Sequence, residues 1–416
     1  MEDEDSLKIL MVSTEYPPMK GGIGRYTSNL VKALQNLGME VYVVCNEAGK
    51  GDFSGLSPTN KQNSEVLLKI VSEINPDIVH VQFEPGMYGL LLDPINRAKS
   101  GTYIDSFYLK CNTPIVTTFH SGYNFVEWMS QSFVVRKAGR IGIIGMPLRL
   151  LVRLSKYLLN YGTFKNINKQ KLDSSHSGIV FSNYMSKHIG GGCRIIYHGA
   201  EPYDQSFPEK KVARAMFSLP QESKLALALG FRTVTKGWDL LEKMNIPYGW
   251  KVVVNFSKDH YNIENYDLNV ISSAQSSSSK GNNNNNNIIN LQRDFLDERD
   301  FSLLLYASDV VLLPYRITSG SGVMFDALAH GIPFMASDLE FFREFASQGL
   351  GITVKRNSNE FSKGLKRLES NYLYCTQNID RFNKKLKWDF VANQHNLLYS
   401  SIVNEKNNNN NTKITM

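Results

Sequence analysis

The sequence predicts an α/β protein made of two doubly wound domains that face one another across a cleft. Three observations carry this. Short apolar runs of the kind buried in parallel sheets alternate with stretches of helical spacing along most of the 416 residues. The alternation runs twice, and HGAEP (198–202) is the natural crossing between the two series. The chain is also long for a single core, so about two domains are expected. The pattern sets their bounds at 1–200 and 201–385, with 386–416 left for a closing helix and an Asn-rich tail.

Composition narrows the class. A hydrophobic content of 42% with 20% charged residues is that of a globular protein. The net charge of +7, from 46 Lys plus Arg against 39 Asp plus Glu, suits anionic small molecules or an acidic membrane face and is too weak to argue for nucleic acid. Cys45, Cys111, Cys193 and Cys375 form no CxxC pair or Cys/His cluster, so they read as free thiols and no metal site is expected. The acidic start MEDEDSLKIL runs straight into a strand, which reads as no signal peptide. With no apolar run of membrane-spanning length, the expected location is cytoplasmic.

The first series opens with the apolar run Leu7 to Ser13. The loop Gly21, Gly22, Ile23, Gly24 follows, then a helix with Tyr26, Leu30, Ala33, Leu34 and Leu37 on one stripe and Gly38 at its end. Val41 to Cys45 is the second strand. Strand, glycine loop, helix and strand form the first unit of a doubly wound sheet, whose loops lie at the ligand-binding edge. GGxG is short of the full dinucleotide fingerprint, so a phosphate contact and glycines needed only for close packing both remain open. EVLLKIVSEI reads as helix, DIVHVQF as strand, MYGLLLDPINRA as helix and PIVTTFH as strand. His120 ends that last strand at the ligand edge, whereas His80 takes a structural reading. Residues 134–161 are mostly apolar but carry Arg136, Lys137, Arg140, Arg149, Arg153 and Lys156 without one acidic residue, and Pro147 splits them into two short helices. They read either as a basic amphipathic membrane-surface segment or as helices covering the sheet. GIVFSN and RIIYHG close the series as strands.

The second series begins with the strand LALALGF and the stretch FRTVTKGWDLLEKM, where Arg232 and Lys236 precede a helix start that favours an anion. KVVVNFS is a strand. SSAQSSSSKGNNNNNN (272–287) cannot bury apolar surface and reads as a disordered insert, as does the tail KNNNNNTKITM. IINLQRDF, a helix over 298–308, the strand VVLLPY and the strand GITV follow, with a last helix at about 379–403.

Between VVLLPY and PFMAS lies the most informative stretch. The chain turns through Thr318, Ser319, Gly320, Ser321 and Gly322 into a helix from Val323 to His330, stopped by Gly331. A small-residue loop entering a helix offers unpaired N–H groups at the positive end of the helix dipole. Asp326 follows about one turn along, within reach of a sugar hydroxyl beside a bound phosphate. The loop reads as a nucleoside diphosphate grip or as a Gly-rich turn with a solvated Asp326.

In this order, ILMVSTEYPPMKGGIGRY, PDIVHVQF, TTFH, HGAEP, GFRTVTKG and SGSGVMFDALAHGIP before ASD resemble the retaining glycosyltransferase family 4, the glycosyl transferases group 1, over about residues 7–400. The resemblance implies a GT-B fold of two Rossmann-like domains. It further implies a hexosyltransferase-type enzyme that uses a nucleoside diphosphate sugar and no metal cofactor. Its implied catalytic residues are His120, against the transferred sugar, and the basic pair Arg232 and Lys236. The donor would be held by Thr318, Gly320, Ser321, Gly322, Val323 and Asp326, the last on ribose, with Gly21, Gly22 and Gly24 beside the diphosphate and acceptor.

The chain departs from the family's Glu-x7-Glu pattern, because Thr318 stands at the first Glu and Asp326 shortens the second by one methylene. The implied reaction is transfer with retention to an unidentified acceptor, either a glycan or a lipid-linked one, with the basic pair and the loop amides neutralising the departing diphosphate. The competing class is a non-catalytic nucleotide-sugar-binding or scaffolding subunit of the same fold. A dehydrogenase is disfavoured by the missing GxGxxG and by the absence of an acidic residue at Val44, Cys45 and Asn46.

Overall fold

The computed structural model describes residues 6–93, 96–134, 146–202, 206, 208–257 and 287–414. The chain divides into two compact units, one of Met1–Asn124, Pro147–Gly199 and Lys385–Met416, the other of Phe125–Met146 and Ala200–Lys384. Each is organised by an all-parallel six-stranded sheet, in agreement with the two Rossmann-like domains expected.

In the first unit the strands are β1 (Lys8–Val12), β2 (Glu40–Val44), β3 (Ile78–Phe83), β4 (Ile115–Phe119), β5 (Ser177–Val180) and β6 (Arg194–Ile195), in the order β2-β1-β3-β4-β5-β6. β1 and β3 are central, and Ile9 to Val12 and Ile78 to Phe83 are fully buried, as runs apolar on both faces require. The helix Gly22–Asn36 crosses from β1 to β2 with Tyr26, Leu30, Val31 and Leu34 inward. The C-terminal helix Trp388–Ile414 packs against it.

Several local expectations fail here. MYGLLLDPINRA is not a helix: Pro85–Tyr88 and Arg97–Lys99 are single 3₁₀ turns, and Leu91 bridges Gly101. Its apolar spacing is helical, but Gly89 adopts a left-handed conformation that stops the first turn. RIIYHG contributes only two paired residues. Pro147 lies in the first turn of one long helix, Met146–Asp173, where its missing N–H costs nothing, so the part of the basic segment after it is not a short helix. Residues 135–145 of that segment, and 272–286 of the Asn-rich insert, lie outside the described residues. The final helix continues through the Asn run to Ile414, so the tail from Lys406 is helical up to that residue.

The second unit has β7 (Lys224–Phe231), β8 (Trp250–Ser257), β9 (Ile288–Asn290), β10 (Val310–Leu313), β11 (Phe334–Ser337) and β12 (Gly351–Val354), in the order β12-β11-β10-β7-β8-β9. Its core joins Ala226, Val252 and Leu312 to Phe361, Leu365 and Leu368. WDLLEK, expected as part of an α-helix after Lys236, is a 3₁₀ turn over Trp238–Lys243, preceded by another over Val234–Lys236. The stretch expected as one helix over 379–403 is two, Tyr372–Phe382 and Trp388–Ile414, parted by the turn Asn383–Lys385. No helix of the described residues is long and apolar enough to cross a membrane.

Candidate active site

In the second unit, β10 is apolar and buried, so the chain leaves the sheet edge at Pro314 and turns back through the small-residue loop. The loop is shaped by its own hydroxyls. Thr318, 6% exposed, donates to the Gly320 carbonyl at 2.5 Å and accepts from the Gly320 amide at 3.2 Å. Ser321 has extended backbone and caps the helix Gly322–Ala329, its Oγ accepting from the Met324 amide at 3.3 Å. Gly322 and Val323 open that helix, so their amides belong to the turn that lacks intrahelical acceptors. Asp326 is only 2% exposed, which removes the solvated alternative. Its carbonyl accepts from His330 Nδ1 at 2.7 Å, and the other ring nitrogen of His330 meets Ser302 Oγ at 2.6 Å.

Lys236 is brought to this loop by contacts that the sequence did not show. Its ammonium lies 3.8 Å from the centre of the Tyr315 ring, and the Tyr315 hydroxyl is 3.4 Å from Ser321 Oγ. The Arg316 amide donates to the Thr235 carbonyl at 2.8 Å, and Arg356 Nε donates to Pro314 O at 3.1 Å, so the two loops are stitched together. Gly237 must be glycine, because its φ is +72° and a Cβ would fall 2.0 Å from Pro314 O. Arg232 is placed differently. Its guanidinium lies 4.7 Å from the centre of the Phe256 ring, and its amide donates to Ser257 O. The helix start expected after Lys236 is a short 3₁₀ turn carrying Asp239, which takes Arg316 at 2.7 Å and Arg356 at 3.1 Å. That end already holds a protein carboxylate.

In the first unit the glycine loop also meets a carboxylate. Glu15, 4% exposed, accepts from the Gly24 amide at 2.7 Å. A Cβ on Gly21 would fall 1.9 Å from Glu15 Oε1, and one on Gly24 would lie 3.1 Å from Glu15 Cγ, while Gly22 has open space. Close packing on Glu15 therefore accounts for Gly21 and Gly24. His120 closes β4 as expected, its amide donating to Phe83 O at 3.0 Å and its Nε2 lying 2.9 Å from Gln82 Oε1. Its ring stands edge-on to Tyr26 and tilted over Phe181. Burial, with His198 nearby, pushes its pKa down to about 3, so the imidazole is neutral. His80 is fully buried, as its structural reading required. Sequence reasoning missed Glu15, Gln82, Tyr315, Arg316 and Arg356, since none belongs to a motif that signals a ligand by itself.

This architecture has known counterparts. Sucrose-phosphate synthase from Thermosynechococcus elongatus aligns with a TM-score of 0.68 at 15% identity, over 95% of this chain and 99% of that one. HepE from Anabaena, solved in complex with UDP, gives 0.64 at 12% identity, over 95% and 100%. A glycosyltransferase from Rickettsia africae gives 0.62 at 14%, over 96% and 99%. Residues 20–144 match the model of Glycosyltransferase Family 4. The chain therefore has the GT-B fold, and over residues 20–144 it is similar to Glycosyltransferase Family 4. At these identities the structural likeness establishes the fold, and the family match lies mostly within the first unit. No curated protein matches the chain in sequence.

Proposed function

We propose that this GT-B protein is a retaining glycosyltransferase that moves a sugar from a nucleoside diphosphate sugar to a hydroxyl acceptor. The observation that supports this most is the apposition of Lys236, Tyr315 and Ser321 at the start of the helix Gly322–Ala329. An ammonium and first-turn amides together suit a diphosphate better than either alone. The UDP complex of HepE supports the same donor class. In the reaction, the bond from the sugar's anomeric carbon to the bridging phosphate oxygen breaks, and a bond to the acceptor oxygen forms on the same face. The acceptor's proton passes to the departing phosphate. Charge growing on that phosphate is met by Lys236 and the amides of Gly322 and Val323, with no metal required; full activity in EDTA is the expected result. Arg232 adds positive charge from the end of β7.

The acceptor is read as lipid-borne, with the protein cytoplasmic and peripheral on a membrane. Lys156 is exposed on the helix Met146–Asp173 three residues before Leu159 (40% exposed), so a basic and an apolar side chain share one exposed face, as at an interface. Salt-sensitive sedimentation with anionic vesicles tests this, and equal capture by neutral vesicles would return the helix to a covering role. Thr318 favours one competing reading, a nucleotide-sugar-binding subunit without turnover, because its hydroxyl is committed to the Gly320 backbone where the family has a carboxylate. A panel of nucleotide sugars separates the two. The correct donor at about 100 times its dissociation constant stabilises the fold by about 2.7 kcal/mol, and mass spectrometry of that mixture with acceptors reports turnover. Stabilisation without any transfer or donor hydrolysis would establish the subunit.

A further inference from the structure

We propose that Gln82 is the positioning residue for His120, holding it as the tautomer with hydrogen on Nε2, and that the C-terminal helix holds Gln82 in turn through Tyr399 and His80. This rests on the glycosyltransferase reading, in which His120 acts on the transferred sugar. His80 and Gln82 are two apart on β3, so they share one face of the sheet, and both are fully buried. Gln82 Oε1 lies 2.9 Å from His120 Nε2. An amide oxygen only accepts, so the hydrogen between them belongs to His120 and the lone pair to Nδ1. The histidine then meets a sugar hydroxyl as an acceptor rather than as a donor.

The direction of the Gln82 amide decides this assignment. Its nitrogen faces Met11 Sδ at 3.2 Å and His80 Nε2 at 3.4 Å. A thioether sulfur only accepts, so reversing the amide would set its oxygen against Met11 Sδ and lose that contact. His80, the amide nitrogen's other neighbour, is held at both ring nitrogens, because Tyr399 Oη lies 2.6 Å from its Nδ1 and Thr118 Oγ1 lies 2.7 Å from its Nε2. Tyr399 is 319 residues away in the chain, so the last helix reaches the sugar-handling histidine through two side chains. The Tyr26 and Phe181 rings packed on His120, and His198 nearby, carry no negative charge at neutral pH.

The test uses the full chain labelled with ¹⁵N-histidine, with His120→Asn to assign the signals. In the wild type, long-range ¹H–¹⁵N spectra at neutral pH should show His120 wholly as the Nε2–H form. Gln82→Leu should give mixed tautomers and lower kcat about a hundredfold, as misorientation does, with donor KM little changed. Gln82→Glu places a carboxylate on Nε2 and should keep His120 protonated to clearly higher pH, which a purely space-filling role for Gln82 would not do. Tyr399→Phe should give a smaller loss of the same kind. Unchanged His120 signals in folded Gln82→Leu, or in Gln82→Glu if the leucine variant does not fold, would overturn the proposal. Altered tautomers in a protein whose wild type transfers from no donor would uphold the positioning and defeat the catalytic reading.

Discussion

Both units contain a strand that leaves the sheet through glycines and enters a helix, yet the two helix starts are furnished in opposite ways. At the helix Gly22–Asn36 the protein supplies its own anion, with the Glu15 carboxylate on the Gly24 amide and close against Gly21. At the helix Gly322–Ala329 the neighbours are hydroxyls, from Thr318, Ser321 and Tyr315, with the Lys236 ammonium over the tyrosine ring. A helix start filled by a carboxylate is electrostatically satisfied, while one flanked by a cation attracts an anion from outside. The same sequence signature thus serves packing in one unit and, in the proposed function, ligand recognition in the other, and side chains from elsewhere in the chain decide which.

The sharpest break between the units should come with acid. His80, His120 and His395 all lie in the first unit and all have lowered pKa values, chiefly from burial, with His120 at about 3 and His395 at about 4. A depressed folded pKa means the unfolded chain takes up protons first. The associated stability is present above about pH 6.5 and is lost as pH falls through the folded values. His395 alone, fully buried, accounts for about 3 kcal/mol. Hydrogen exchange between pH 7 and 4 should open β1, β3 and β4 before β10 and β11, and the reverse order would refute the comparison.

Lys236→Ala comes next, with turnover down a hundredfold or more, about 3 kcal/mol of transition-state stabilisation, and a melting temperature near that of wild type. Near-full activity with every donor would remove the phosphate assignment. Gly21→Ala should destabilise by roughly 1–3 kcal/mol, because the added methyl meets the pinned Glu15 carboxylate. Glu15→Ala in the same chain should recover part of that loss in a double-mutant cycle. The smallest effect belongs to Gly320→Ala, which meets nothing within 4 Å and should change folding stability by less than about 0.5 kcal/mol. Urea unfolding of the pair decides it, and equal losses would mean that the two loops are packed alike.

Much of the fold was legible because strands buried on both faces write themselves as apolar runs. β1, β3, β4, β7, β8 and β10 all lie where such runs were read. The failures were short and local. In MYGLLLDPINRA and WDLLEK a helical spacing of apolar residues met glycines in left-handed backbone, Gly89 and Gly237, and only short 3₁₀ stretches formed. Among the candidate residues, His120 and the Gly322 helix were found because each ends or follows a strand. Arg232 and Lys236 looked equivalent in sequence, but one lies over Phe256 and the other over Tyr315.

The sequence by itself determined the alternation of strands and helices, the two glycine-bearing turns and the position of His120 at a strand end. These follow from side-chain periodicity and from backbone freedom, which act over a few residues. Only the tertiary structure decided that Glu15 fills the first loop, that Tyr315 carries Lys236 to the second, and that Tyr399 reaches His80 from the far end of the chain. Those pairings depend on which strands become neighbours in each sheet and on which helix returns to cover them. Sheet order is set by the packing of the whole core, and no local stretch of the sequence records it.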